Sequence, residues 1–138
     1  MNDKSQISNN IKSQSMMDDK KDKRIYDLEE RTARFGENII DFVKTLPINP
    51  INNELISQIV KSGTSVGANY MEADGAESKK DFRHKIAICK KEAKETEHWL
   101  RMIAKANPDR KEKCKELWSE AQELTLIFSS ILLSKSKK

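Results

Sequence analysis

The stretch SGTSVGANYMEADGAESKKDF, residues 62–82, decides the fold because it holds a helix-weakening run and the turn that follows it. Its first seven residues are small or β-branched, and each glycine costs about 1 kcal/mol inside a helix. Apolar residues nevertheless keep helical spacing before and through this run, at Leu55, Ile59, Val66 and Tyr70. Small residues let a neighbouring backbone approach closely, so tighter packing can offset the lost helix propensity. The run predicts a helix face that packs on another helix or meets another subunit or a ligand.

Helical periodicity also appears upstream of this stretch. The first predicted helix covers residues 26–46 and ends at a proline-containing loop. The second covers residues 54–75, with Asn52 or Asn53 as its N-cap.

Two further helices follow the turn. The third begins after Ser78, which forms with Asp81 an S-x-x-D variant of the capping box. The fourth begins at residues 107–109, where Asn can cap the helix and Pro suits its first position. The third helix alternates spacings of four and three, as in a coiled-coil seam. Its seam residues are Phe82, Ile86, Cys89, Ala93, Thr96, Leu100 and Ile103.

Together these patterns predict an all-α fold, an antiparallel up-down-up-down four-helix bundle. No segment sustains the period-two alternation of a strand. The chain has 138 residues, which is the size of one domain, and 35% of them are charged. We expect a disordered polar tail over residues 1–23, the bundle over residues 24–134, and a basic tail over residues 135–138.

Charge and cysteine content narrow the classes of function. The net charge of +4 permits anionic partners without requiring them. The N-terminal residues lack the apolar region of a secretory signal, and no apolar run is long enough to span a membrane. Cys89 and Cys114 fall on apolar stripes and so predict buried thiols rather than a disulfide. We therefore expect a cytoplasmic protein without a membrane partner.

Two motifs carry a resemblance to a known family. The first is KSGTSVGANYMEA, with Lys61, Ser65, Asn69 and Glu72, followed by ESKKDF. The second is KEAKETEHWL, with Glu95 and, at the end of the family pattern, Trp99 and Leu100. Over residues 26–134 the sequence resembles bacterial four-helix-bundle proteins that include those encoded in intervening sequences of large-subunit ribosomal RNA genes. It departs from many members at Lys61, where they carry Arg, and at Ala73, where they carry Gly.

The resemblance implies an assembly and, more loosely, a function. Members form ring-like pentamers, so we expect a homo-oligomer of this kind. A related protein, the accessory variability protein of diversity-generating retroelements, binds nucleic acid and a reverse transcriptase. Most members have no established biochemical activity.

The third helix carries the main charge feature of the sequence. Between positions 79 and 94 there are seven Lys or Arg residues against two acids, and Lys80, Arg83, Lys90 and Lys94 share one stripe beside the seam. Such a line of cations can contact phosphates. A solvated helix face is the alternative interpretation. The residues predicted to bind RNA or DNA are Lys79, Lys80, Arg83, Lys90, Lys91 and Lys94.

The family motif residues predict a different role. Asn69 and Glu72 lie three positions apart on one helix face, where they can join a hydrogen-bond network, and Glu72 can pair with Lys79 or Lys80 across the turn. Trp99, just off the seam, packs inside the bundle or contacts another subunit. We assign Lys61, Ser65, Asn69, Glu72, Glu95 and Trp99 to a structural motif or a subunit interface.

No catalytic residue, metal site or cofactor is predicted. Glu95 and His98 form a Glu-x-x-His pair, but a di-iron site needs a second such pair on another helix, and the only other histidine lies on the same helix. The sequence also lacks a phosphate-binding P-loop and a nucleophile elbow. We therefore predict a non-enzymatic, oligomeric, nucleic-acid-binding accessory protein. The alternative is a scaffold or adaptor that binds another protein without contacting nucleic acid.

Overall fold

The computed structural model describes the backbone of residues 23–136 and the side chains of residues 28–134. Residues 1–22 of the predicted tail and the last two lysines lie outside this range. Four α-helices fill the described part of the chain, with one 3-10 turn, Pro108–Arg110, before the last helix. They are α1 Lys23–Val43, α2 Pro50–Asp74, α3 Lys79–Ala106 and α4 Lys111–Ser136.

The helices form the predicted all-α four-helix bundle, and no strand occurs between residues 23 and 136. Each helix packs extensively on the next one along the chain, and α1 closes on α4 through a smaller contact. The buried core follows the predicted stripes, including Phe35 of α1, Val66 of α2, Leu100 of α3 and Phe128 of α4. No helix in the described range is long and apolar enough to cross a membrane.

Gly63 and Gly67 of the opening stretch lie where α2 packs closely on α1. A Cβ atom added at Gly67 would stand 3.3 Å from the carbonyl oxygen of Thr32. One added at Gly63 would stand 3.1 Å from the side chain of Ile39. Backbone contact of this kind needs a residue without a side chain. The predicted packing on a neighbouring helix is therefore confirmed for this run.

The start of α2 differs from the prediction. Asn49 is the N-cap, and its side chain accepts a hydrogen bond from the backbone N–H of Asn52 at 2.8 Å. The helix therefore begins at Pro50, and the predicted N-cap at Asn52 or Asn53 is wrong. The fixed φ of proline suits the first helical position and its missing N–H is not needed there, so Pro50 starts the helix.

Asn52 instead takes part in a buried contact between two ends of helices. Its amide nitrogen donates to the side-chain oxygen of Asn107 at 3.0 Å, and that of Asn107 donates back at 2.9 Å. The same two nitrogens donate to the carbonyl oxygens of Pro47 and Ile103. Asn107 makes no side-chain cap for the 3-10 turn, so its predicted capping role is also wrong. The pair holds the α1–α2 loop against the end of α3.

Candidate nucleic-acid interface

The basic face of α3 begins at a well-defined helix start. Ser78 accepts a hydrogen bond from the N–H of Asp81 at 3.0 Å, which confirms the predicted cap. Asp81 lies in the first turn, where a negative charge is favourable. Lys79 and Lys80 occupy the same turn and are both exposed. The cap fixes the residue at which α3 begins, and so the position of the first two lysines of the predicted interface.

Five lysines of the predicted interface have their ammonium groups unpaired among the residues whose side chains are described. Four are exposed and one, Lys90, is half-buried. Within residues 28–134, no carboxylate stands within ion-pair distance of any of them. The aliphatic stem of a half-buried lysine can lie on apolar surface while its charge stays in water. The five are Lys79, Lys80, Lys90, Lys91 and Lys94.

Arg83 lies on the same stripe but is already engaged. Its Nη1 donates to the backbone oxygen of Leu132, near the end of α4, at 2.8 Å. A carbonyl oxygen has two lone pairs and can accept a second hydrogen bond besides that of its own helix. Arg83 therefore joins α3 to α4 and leaves fewer of its donors for a ligand than the lysines do.

Four of the family motif residues lie on α2, and one of them, Glu72, reaches α3. Glu72 forms an ion pair of 2.7 Å with Lys85, so its predicted pairing with Lys79 or Lys80 is wrong. Asn69 donates to the backbone oxygen of Ser65 within its own helix, at 2.9 Å. Neither of these two contacts involves a lysine of the basic stripe.

Acidic residues lie farther along α3. Burial chiefly, and then the charge of Glu95, raise the pKa of Glu92, while Lys91 and Lys61 act in the opposite direction. The last of these effects places Lys61 of α2 close enough to α3 to act on Glu92. The structure thus brings Lys61 near Glu92, which in turn lies near the motif residue Glu95.

Trp99 is half-buried in the α3 surface beside these residues. Its ring meets that of His98 edge-on, with centroids 4.9 Å apart. Its Nε1 is buried and has no hydrogen-bond partner in the described structure. A buried donor of this kind is unusual, and an acceptor from outside the bundle could satisfy it.

The described range also contains two cysteines and side chains of the types that ligate metals. Burial raises the pKa of the Cys89 thiol to about 12 and that of Cys114 to about 11, so neither is a thiolate at neutral pH. Both thiols are free and buried, as their seam positions predict. Within residues 28–134, no three His, Cys, Asp or Glu side chains are grouped so that they could hold a metal ion.

A second cluster of cations was not predicted from the sequence. Arg101 lies one heptad after Lys94 on α3, and Lys111 and Lys115 stand at the start of α4 beside the exposed ring of Trp118. The spacing of seven between Lys94 and Arg101 is a sequence signal for a shared helix face. The contribution of α4 depends on which helices are neighbours, so it appears only in the folded structure.

The chain is thus a four-helix-bundle protein with a row of cations on α3 and polar motif residues on α2 and α3. The chain belongs to the 23S rRNA-intervening sequence protein family, whose model matches residues 24–130. A solved structure from Bacteroides thetaiotaomicron is similar, with 31% identity and a TM-score of 0.67 over 76% of this chain and 97% of that one. It is described as a protein of unknown function from the S23 ribosomal protein family. No curated protein matches the chain.

Proposed function

We propose that this chain is a non-enzymatic accessory protein that assembles into a homo-oligomer and binds RNA or DNA through the phosphate backbone. The observation that carries the proposal is the set of five α3 lysines that no carboxylate pairs within the described residues. Surface cations without a protein partner remain available to phosphates, and contact with phosphates releases condensed counterions.

The composition of the surface favours backbone contact over reading of the bases. The stripe positions themselves carry no aromatic residue, and stacking on unpaired bases would need one. The lysine side chains all come from one helix, α3. Affinity for this surface should therefore depend on charge density more than on base sequence.

An oligomer would strengthen such binding. The family resemblance implies a ring, most simply a homopentamer, in which each subunit presents the same stripe. Repetition of the stripe adds to the local positive potential. The free, buried thiols fit a reducing compartment, so we propose the cytoplasm as the site of action.

The test is fluorescence anisotropy of labelled structured RNA and duplex DNA, titrated at about 50 and 200 mM salt. If five lysines of one subunit contact duplex phosphates, the affinity should fall roughly 500-fold between these concentrations. Micromolar or tighter binding at the lower salt with this dependence supports the proposal. An absence of binding to both ligands at low salt contradicts it.

The second candidate function is a scaffold that binds another protein. It is favoured by the α2–α3 motif network and by the buried Nε1 of Trp99, which lacks an acceptor in the described structure. In this case the lysine stripe is a solvated face. Stable copurification with one protein at high salt, unaffected by reversal of the Lys90 and Lys94 charges, would favour the scaffold over the nucleic-acid function.

A further inference from the structure

Two opposite faces of the bundle carry opposite charge around an apolar centre. Because the helices pack in chain order and α1 closes on α4, the α1–α2 face and the α3–α4 face lie on opposite sides. Each face has a surface depression with exposed apolar side chains. The two depressions differ in the sign of the charges that line them.

The depression between α1 and α2, which we call the acidic groove, has a volume of about 600 Å³. Small residues of both helices form much of its lining, including the contact region around Gly67. Its charged residues are Glu29, Glu30 and Glu37, of which Glu30 also forms an ion pair of 3.4 Å with Arg34 beside the groove. No cation lines it among the side chains of residues 28–134. Ile40 and Met71 also line the groove and are 40% and 54% exposed.

The depression between α3 and α4, which we call the basic notch, has a volume of about 340 Å³. Its charged residues are Arg101, Lys111 and Lys115, and no carboxylate of residues 28–134 lines it. Trp118 lies in its wall and is 38% exposed, and Leu100 contributes to the lining. Exposed tryptophan beside arginine is a common composition for the centre of a protein interface.

We propose that the acidic groove of one molecule receives the basic notch of a second copy of this chain. The proposal rests on the homo-oligomer proposed above and identifies the surfaces that form it. Three carboxylates on one face meet three cations on the other. Trp118 then faces the groove, and Ile40 and Met71 face the notch, so apolar surface is buried at the centre of the contact.

The charges also determine the symmetry of the contact. Two grooves facing each other would bring six carboxylates together, and two notches would bring six cations together. Both arrangements are repulsive, so the contact joins unlike faces. Such a heterologous contact repeats from one copy to the next and closes into a ring or continues as a filament.

A charge-swap experiment tests the pairing of the two faces. The groove variant carries Glu29→Arg and Glu37→Arg, and the notch variant carries Arg101→Glu and Lys115→Glu. All four positions are exposed, so both variants should keep the helical content of the wild type. Sedimentation of the wild type at micromolar concentration should show an oligomer. Each variant alone should associate at least tenfold more weakly.

An equimolar mixture of the two variants should recover association. The reversed groove of one variant is then positive and the reversed notch of the other is negative, while the two unchanged faces still attract each other. Recovery in the mixture supports the proposed contact. A mixture that stays monomeric, or either variant associating as tightly as the wild type, overturns it.

Separate variants distinguish failure of this contact from failure of the nucleic-acid function. Lys90→Glu with Lys94→Glu changes the stripe and leaves both depressions intact, so it should weaken nucleic-acid binding and preserve the oligomer. If nucleic acid does not bind but the charge swap recovers association, only the nucleic-acid function fails. A wild type that is monomeric at about 100 μM overturns both the oligomer and this contact.

Discussion

Removal of one member of the buried asparagine pair should destabilise the bundle more than its small size suggests. Asn107→Ala deletes the donor to the side-chain oxygen of Asn52 and the acceptor for its nitrogen. That nitrogen keeps the carbonyl oxygen of Pro47, but the oxygen is left buried without a donor. Each buried group left unsatisfied costs about 1–3 kcal/mol, and each lost hydrogen bond about 1 kcal/mol. We therefore expect Asn107→Ala to lower the free energy of unfolding by about 2–4 kcal/mol.

A double-mutant cycle isolates the contribution of the pair itself. Asn52→Ala and the double variant complete the cycle, with unfolding by urea followed through far-ultraviolet circular dichroism. The double variant leaves neither side-chain amide buried without its partner. Its loss of unfolding free energy should therefore be smaller than the sum of the two single losses by about 1–2 kcal/mol. The exposed neighbour Asn53 provides a matched control, and its change to alanine should cost less than about 0.5 kcal/mol. A coupling energy near zero would refute the assigned pair.

Three further predictions concern packing, ion pairs and thiols. Gly67→Ala should lower the free energy of unfolding by about 1–2 kcal/mol because the added Cβ would stand 3.3 Å from the α1 backbone. Gly36→Ala should raise it by about 0.5–1 kcal/mol, because the nearest contact is at 3.5 Å and alanine is the better helix former. Equal effects in urea unfolding would contradict this difference in spacing. Arg31→Met removes two ion pairs to α4, of 2.8 and 2.9 Å, and should cost about 1 kcal/mol at low salt and less in about 1 M NaCl. A cost that does not depend on salt would argue against an electrostatic role. Burial raises the pKa of Cys89 from 9.0 to about 12 and that of Cys114 from 9.0 to about 11. The unfolded chain therefore loses these protons first, so the stability that the buried thiols contribute is fully present below pH 9 and declines as pH rises. The decline reaches at most about 1.4 kcal/mol per pH unit for each thiol. The Cys89→Ala and Cys114→Ala double variant should lack this part of the decline, and an unchanged alkaline profile would contradict the assignment.

The bundle was predictable because its core depends on local periodicity. In α3 the alternation of four and three places Ile86, Leu100 and Ile103 on one face, and all three are buried. The glycine run was also informative, because small residues at helical spacing indicate close packing before the partner helix is known. The helix starts were less accurate, although Asn49 followed by Pro50 is a recognisable start signal in the sequence.

Features that depend on distant partners were missed. Asn52 and Asn107 are 55 positions apart, and each has a plausible local role as a helix cap. Glu72 was expected to pair near the turn but reaches Lys85 one helical turn further on. The basic notch combines Arg101 of α3 with residues of α4, so periodicity within one helix reveals only part of it.

The most direct test of the central claim is the salt dependence of nucleic-acid binding by a variant of the α3 stripe. Lys90→Ala with Lys94→Ala should reduce the slope of log affinity against log salt on duplex DNA by about 2, because two phosphate contacts are lost. Lys44→Ala with Lys113→Ala removes the same net charge at exposed positions off α3 and should leave the slope unchanged. A slope that is equal in the two double variants, or unchanged from the wild type in both, would contradict phosphate binding by this stripe.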